Sequence, residues 1–175
     1  MTSLRLPKSM AGDPRAEALQ HRIAGATGRL WPGGSLAVLD VALDEALLAV
    51  LRRAAEDGRL TRGLESAERV LDAEARGLDH ADRQAGTARG ARISRLLLLA
   101  DDGAERFYRH VESLLARHAD RALAVRLDVD AASLGARVFG PGALAKLLML
   151  SHKMAVAAAL GAIAEQAERE GGAAR

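Results

Sequence analysis

Two aspartates close the most apolar run in the chain. In ISRLLLLADDGAERFYR (93–109), Leu96 to Leu99 lead into Ala100, Asp101 and Asp102. Acids at the carboxyl ends of strands in an open α/β sheet can hold a divalent cation or a ligand. Asp128 or Asp130, after the next apolar run, would share one magnesium with them in a metal-dependent enzyme. The other reading needs no metal. Asp102 accepts the free amides of the helix that follows, and Asp101 adds charge at that helix's positive end. Capping accounts for these carboxylates, so no catalytic residue, metal ligand or cofactor is assigned. A second chemistry is suggested by Arg83, Arg89, Arg92 and Arg95, set among Gly86, Gly90 and small residues. Guanidinium groups suit phosphate contact, although no aromatic residue interleaves them as a stacking platform.

The histidines are poorly placed for a metal. Asp79 and Asp82 flank His80 in sequence, but such neighbours do not share a helix face. His110 and His118 lie two turns apart with Leu114 between them. His152 and Lys153, at the last strand–helix junction, could face a pocket. There is no His-Glu-x-x-His, no nucleophile elbow and no phosphate-binding glycine loop, and GPGALAK lacks P-loop spacing. With no cysteine, disulfides, thiolate nucleophiles and cysteine zinc sites are excluded.

These residues must be positioned by helices and strands in alternation. Residues 1–12 read as a tail. A helical segment and turn-rich linker occupy 13–38, with Asp13 as N-cap, Pro14 at the first helical position and Trp31 in the linker. An α/β domain covers 39–166, and 167–175 read as a second tail. The spacing of Leu43, Leu47, Leu48 and Leu51 predicts a helix from about Leu39 to Asp57, stopped by Gly58. RLTRG suits a brief strand, and a second helix starts near Leu64 and can run past Gly77. The segment after it reads as a mobile basic loop. RLLLLA is a buried strand. A third helix spans about Gly103 to Asp120, with Phe107, Val111, Leu114 and Leu115 as its core stripe. ALAVRLDV is a strand despite Arg126, whose partner is not visible. Ser133 precedes a short helix ended by GPG, LAKLLMLS is a strand, and the last helix follows. The expectation is a single-domain, three-layer α/β/α sandwich with a small mixed sheet and an added N-terminal helical segment.

Composition narrows the class. Only 2% of residues are aromatic, so the core must be built from leucine, valine and alanine. Formal charge is +2, too small to name a nucleic-acid partner by itself. Only Lys8, Lys146 and Lys153 are lysines; the arginine bias fits a GC-rich bacterial genome. The N-terminus lacks a signal-peptide core and no window is long and apolar enough to span a membrane. A cytoplasmic protein is expected.

LLLLADDGAERFYRHVESLL resembles the opening of a two-component receiver domain. Such a domain needs a phosphorylatable aspartate well downstream, and Asp128 and Asp130 come too early. Three blocks together resemble another family. They are GRLTRGLESAERVLDAEARG, ISRLLLLADDGAERFYRHVESLLARHADR and LDVDAASLGARVFGPGALAKLLML. Their order and spacing, from Asp44 to Ile163, are similar to those of the kink-turn-binding ribosomal-protein family, an α/β/α fold shared with the release-factor C-terminal domain. Family RNA binders carry an Asn-Glu pair and a lysine at the start of helix two. Here Glu65 matches, and the asparagine and lysine are absent. The chain also inserts 78–92 and enlarges the FGPG segment.

The resemblance implies a non-enzymatic module for structured RNA or a ribonucleoprotein. Its RNA-facing edge would include Arg62, Gly63, Glu65, Arg69, Leu134, Gly135 and Arg137. The basic loop would add Arg89 and Arg92. A different expectation is a homo-oligomeric or protein-interaction subunit, paired through the alanine-rich helix Ala155 to Ala164.

Overall fold

A computed structural model describes residues 4–87 and 90–173. After a 3-10 turn at Lys8–Met10 come α1 (Ala16–Ala24), β1 (Gly28–Arg29), β2 (Ala37–Val41), α2 (Glu45–Glu56), β3 (Leu60–Arg62) and α3 (Leu64–Ala85). The second half holds β4 (Arg95–Leu99), α4 (Glu105–Arg117), β5 (Ala122–Leu127), α5 (Ala131–Phe139), β6 (Leu147–Leu150) and α6 (Lys153–Ala173).

One six-stranded mixed sheet runs in the order β1-β2-β5-β4-β6-β3. The strands β2, β5 and β4 are parallel, whereas β1, β6 and β3 run antiparallel to their neighbours. Leu98 lies opposite Val125 on one side and Leu148 on the other. Side chains alternate across this sheet. Leu96, Leu98, Val125, Leu127, Leu148 and Leu150 join a core with α1, α2, α5 and α6. Leu97, Leu99, Ala122, Ala124, Leu147 and Met149 join the core of α3 and α4. Both faces are therefore covered, which is why LLLL and LLML read as unbroken apolar runs rather than alternating ones. The architecture is the expected three-layer sandwich, with more strands than a small sheet.

The N-terminal half departs most from the sequence reading. The single helix expected over Leu39–Asp57 is a strand followed by a helix. Ala37–Val41 pairs with β5, and Asp44 caps α2 by accepting the Leu47 N–H at 2.9 Å. The helical leucine spacing of α2 extends upstream by chance, and the long-range partner β5 decides the matter. Asp13 does not cap α1; it accepts the Arg15 backbone N–H at 2.9 Å and its guanidinium, and the helix starts at Ala16. Residues in the expected N-terminal tail are packed: Met10 is buried, and Arg5 bridges to Arg92.

Three other boundaries move. The second helix does run past Gly77, and it enters the expected basic loop as far as Ala85 before a left-handed Gly86 at φ 67°. Asp130 caps α5 by accepting the Ser133 N–H, so that helix begins before Ser133. At the other terminus α6 continues through Ala173, well into the stretch read as a tail.

Candidate nucleic-acid interface

Of the acids that raised the metal question, Asp102, Asp128 and Asp130 are occupied by backbone amides, while Asp101 is exposed. Asp102 Oδ1 accepts the Ala131 N–H at 2.9 Å, so it caps α5 and not α4 as expected. The N-cap of α4 is Ala104, with no side-chain hydrogen bond. Asp128 Oδ1 accepts the Leu43 N–H at 2.9 Å, tying the end of β5 to the turn after β2. Tyr108 pins the acidic turn from below. Its hydroxyl donates to the Ala100 carbonyl at 2.6 Å and accepts the Gly103 N–H at 2.9 Å, and burial pushes the phenol pKa up. Among the described residues, no three carboxylate or histidine side chains gather as a metal site.

A groove of about 590 Å³ opens beside this turn, where β3 and β4 end and β6 begins. Arg62, Gly63, Glu65 and Ser66 form one wall, Phe107 and His110 of α4 another, and Leu144, Ala145 and Lys146 the third. The Gly63 N–H donates to the Leu147 carbonyl at 2.9 Å, which anchors the β3–α3 turn on β6. Gly63 takes φ 92°, a conformation other residues resist, and gives α3 no side-chain cap. The positive end of a 22-residue helix is thus directed at the groove. The Arg62 guanidinium sits over the Phe139 ring at 5.1 Å. Phe139 is 40% and Leu144 59% exposed, unusual for large apolar side chains in a chain so short of aromatics. Among the described residues Arg62 and Lys146 have no carboxylate partner, so their charge is available. His110 is held through Nε2 by Glu68 at 3.0 Å. Glu68 is held below the usual carboxylate range by His110 and then by Arg117.

The structure gathers only part of the expected edge. Arg62, Gly63 and Glu65 meet in the groove, and exposed Arg69 lies one turn beyond Glu65 on α3. Leu134 and Gly135 are buried and do not face solvent. A Cβ on Gly135 would lie 2.2 Å from the Ala143 carbonyl oxygen, so this glycine lets α5 press against the groove's third wall. Arg137 turns away, donating to the Leu43 carbonyl at 3.1 Å and to Glu45 at 3.2 Å. Arg92 lies near the opposite end of β4, where it donates to the Leu6 carbonyl at 2.6 Å. Arg89 falls outside the described residues. Phe107, Phe139, Leu144 and Lys146 were missed. For the last three the signal was FGPGALAK itself, a segment with two large apolar residues beside glycines and a lysine, whereas Phe107 reads by its spacing as part of the core stripe of α4.

Several cations elsewhere are spent internally. Arg126 donates to Asp40 at 2.7 Å and to the Arg29 carbonyl at 2.6 Å, which explains a charge inside a strand. Between α3, α4 and β5, Arg95 and Arg121 both grip Glu74, at 2.8 and 2.7 Å. Buried His118 meets Asp72 at 2.9 Å, and Arg117 bridges Asp72 and Glu68.

No family model matches the chain, and no curated protein matches it. Among solved structures, a protein of unknown function from Bacillus halodurans superposes with a TM-score of 0.47 at 15% identity. The match covers 70% of this chain and 99% of that one. Among the described residues, no helix is long and apolar enough to cross a membrane.

Proposed function

We propose that the protein is a non-enzymatic binding module for structured RNA, and that the groove between α3, α4 and the 140–146 segment receives it. One observation carries this reading: two unpaired cations, Arg62 and Lys146, stand beside two exposed apolar side chains, Phe139 and Leu144. Cations alone would suit any anion. Cations with an open aromatic face suit a nucleic acid whose backbone is neutralised while an unstacked base lies on the ring. RNA loops and bulges offer such bases, whereas regular duplexes do not. Arg62 over Phe139 would extend the stacking surface by one planar group.

The resemblance of the β3–α3 block to RNA-binding proteins supports the same place on the fold. Asp102, Asp128 and Asp130, at the strand ends, are already hydrogen-bonded to backbone amides, which favours binding over metal-dependent chemistry. For the subunit alternative, Ala159, Ala162 and Ala164 of the alanine stripe are buried within the chain's own α-layer.

The test begins with the absorbance ratio of the purified protein at 260 and 280 nm, since a chain with one tryptophan and one tyrosine reveals small amounts of bound nucleic acid. Anisotropy against a bulged RNA hairpin and a fully paired one of equal length follows, across a salt series. The expected result is preference for the bulged RNA, an affinity that falls with salt, and a slope reduced by about one when Lys146→Ala removes a phosphate contact. Absence of binding at low salt, or equal binding by an Arg62→Ala, Phe139→Ala double variant, overturns the proposal.

A further inference from the structure

A second unfilled surface lies on the other α-layer, well away from the groove. Between α2 and the start of α6 is a hollow of about 370 Å³ floored by Val50, Ala54, Ala155 and Ala158. Met154, 53% exposed, forms its far wall. The same methionine also borders a second hollow of about 360 Å³, whose floor is Pro7 and Ile93. The two hollows meet at Met154, at the amino end of α6, and together are termed the trough. Small alanines at the floor allow close approach of a helix, and an unbranched methionine adapts to what lies on it.

The rim is positive. Arg53, Arg59, Lys8 and Lys153 line the two hollows, and so does Arg92, which the RNA reading leaves unused. Among the described residues the one acidic residue lining them is Asp57, already bonded by Arg53 at 3.1 Å. Lys8, Arg59 and Lys153 have no carboxylate partner among the described residues.

We propose that this trough docks an acidic amphipathic helix of a partner protein, its apolar stripe on the alanine–methionine floor and its carboxylates along the basic rim. Charge complementarity selects that occupant. A second copy of this chain would set like charges across the interface. RNA would leave the aliphatic floor unused, since no aromatic side chain lines either hollow. Helix-in-groove recognition has this form of apolar anchors flanked by charge.

The test titrates the intact protein with a labelled synthetic helix bearing leucines on one face and glutamates along both flanks. A matched peptide carrying lysines in place of the glutamates is the control. The glutamate peptide is expected to bind saturably and to weaken with salt, and the lysine peptide not to bind. Met154→Lys and, separately, Ala158→Arg should each weaken binding about tenfold or more, about 1.4 kcal/mol. Both residues are exposed, so the melting temperature should hold. The proposal is overturned if neither peptide binds, if both bind alike, or if both variants bind as the parent does. It is also overturned if Met154→Lys abolishes a concentration-dependent dimer, or if RNA crosslinks to Lys153.

Discussion

The α3–α4 face and the groove at the carboxyl end of β4 share two helices and use basic residues in opposite ways. On the face, Arg95, Arg117, Arg121 and His118 are each matched to a carboxylate of α3. Arg121 is 6% exposed and also donates to the Leu71 carbonyl at 2.7 Å, so it struts α3 onto β5 from inside the protein. In the groove Arg62 and Lys146 find no carboxylate among the described residues and stand beside exposed apolar groups. An arginine count therefore says little about binding in this chain. What matters is whether the fold brings a carboxylate to each one.

The comparison breaks most severely if the face loses its acid. Glu74→Ala leaves Arg121 buried without its counter-charge and should cost about 3–5 kcal/mol, read as a lowered Tm in thermal denaturation. RNA affinity of the folded fraction should be unchanged, since Glu74 is remote from the groove lining. Next is Gly135→Ala, which drives a methyl group into the Ala143 backbone. It should destabilise by about 1–3 kcal/mol and also weaken RNA binding, because the displaced segment carries Leu144 and Lys146.

A pH series sharpens the same contrast at another carboxylate. Glu112 of α4 accepts hydrogen bonds from the Ser35 N–H and hydroxyl, the Leu36 N–H and the Trp31 indole. Burial opposes its ionisation, yet these donors outweigh it and hold the carboxyl down to about 2. A depressed acid contributes stability that is complete above its unfolded pKa and lost as pH falls toward the folded one. The stability gap between the protein and Glu112→Gln should therefore be constant near neutrality. It should narrow from about pH 5 downward, followed by urea denaturation at each pH. The smallest stability effect belongs to the groove: Arg62→Ala should change Tm by no more than a surface substitution, about 0.5 kcal/mol, while RNA affinity falls.

Much of the fold was legible because buried strands leave local marks. RLLLLA and LAKLLMLS carry their signal within a few residues, whereas the Asp44 and Asp130 caps went unread, Asp44 inside an expected helix and Asp130 upstream of the expected start at Ser133. β2 was not legible, since its strand character depends on β5, more than eighty residues away, while the adjacent leucine spacing mimics a continuing helix. Arg62, Gly63 and Glu65, which the family resemblance singled out, meet in the groove because they are near neighbours at the β3–α3 turn. Phe139 and Leu144 were not, since exposure of an apolar side chain is a property of the assembled surface. Arg92 and Arg137 were misplaced for the same reason: residue type showed their charge, but the direction of each side chain depends on the packed elements around it.

The order of strands in the sheet bears on how the chain is made. β3, at Leu60–Arg62, pairs with β6, at Leu147–Leu150, and α1 is tied to α6 by Arg15–Glu165 and Arg22–Glu170. α1 thus rests on a helix that follows it by many elements, and the β3 edge of the sheet waits for its neighbour until β6 has been translated. Closure of so many distant contacts is slow, and it leaves apolar strands uncovered meanwhile. Newly synthesised protein should accordingly depend on chaperones until α6 is released, and chains truncated before α6 should aggregate instead of forming a smaller stable domain.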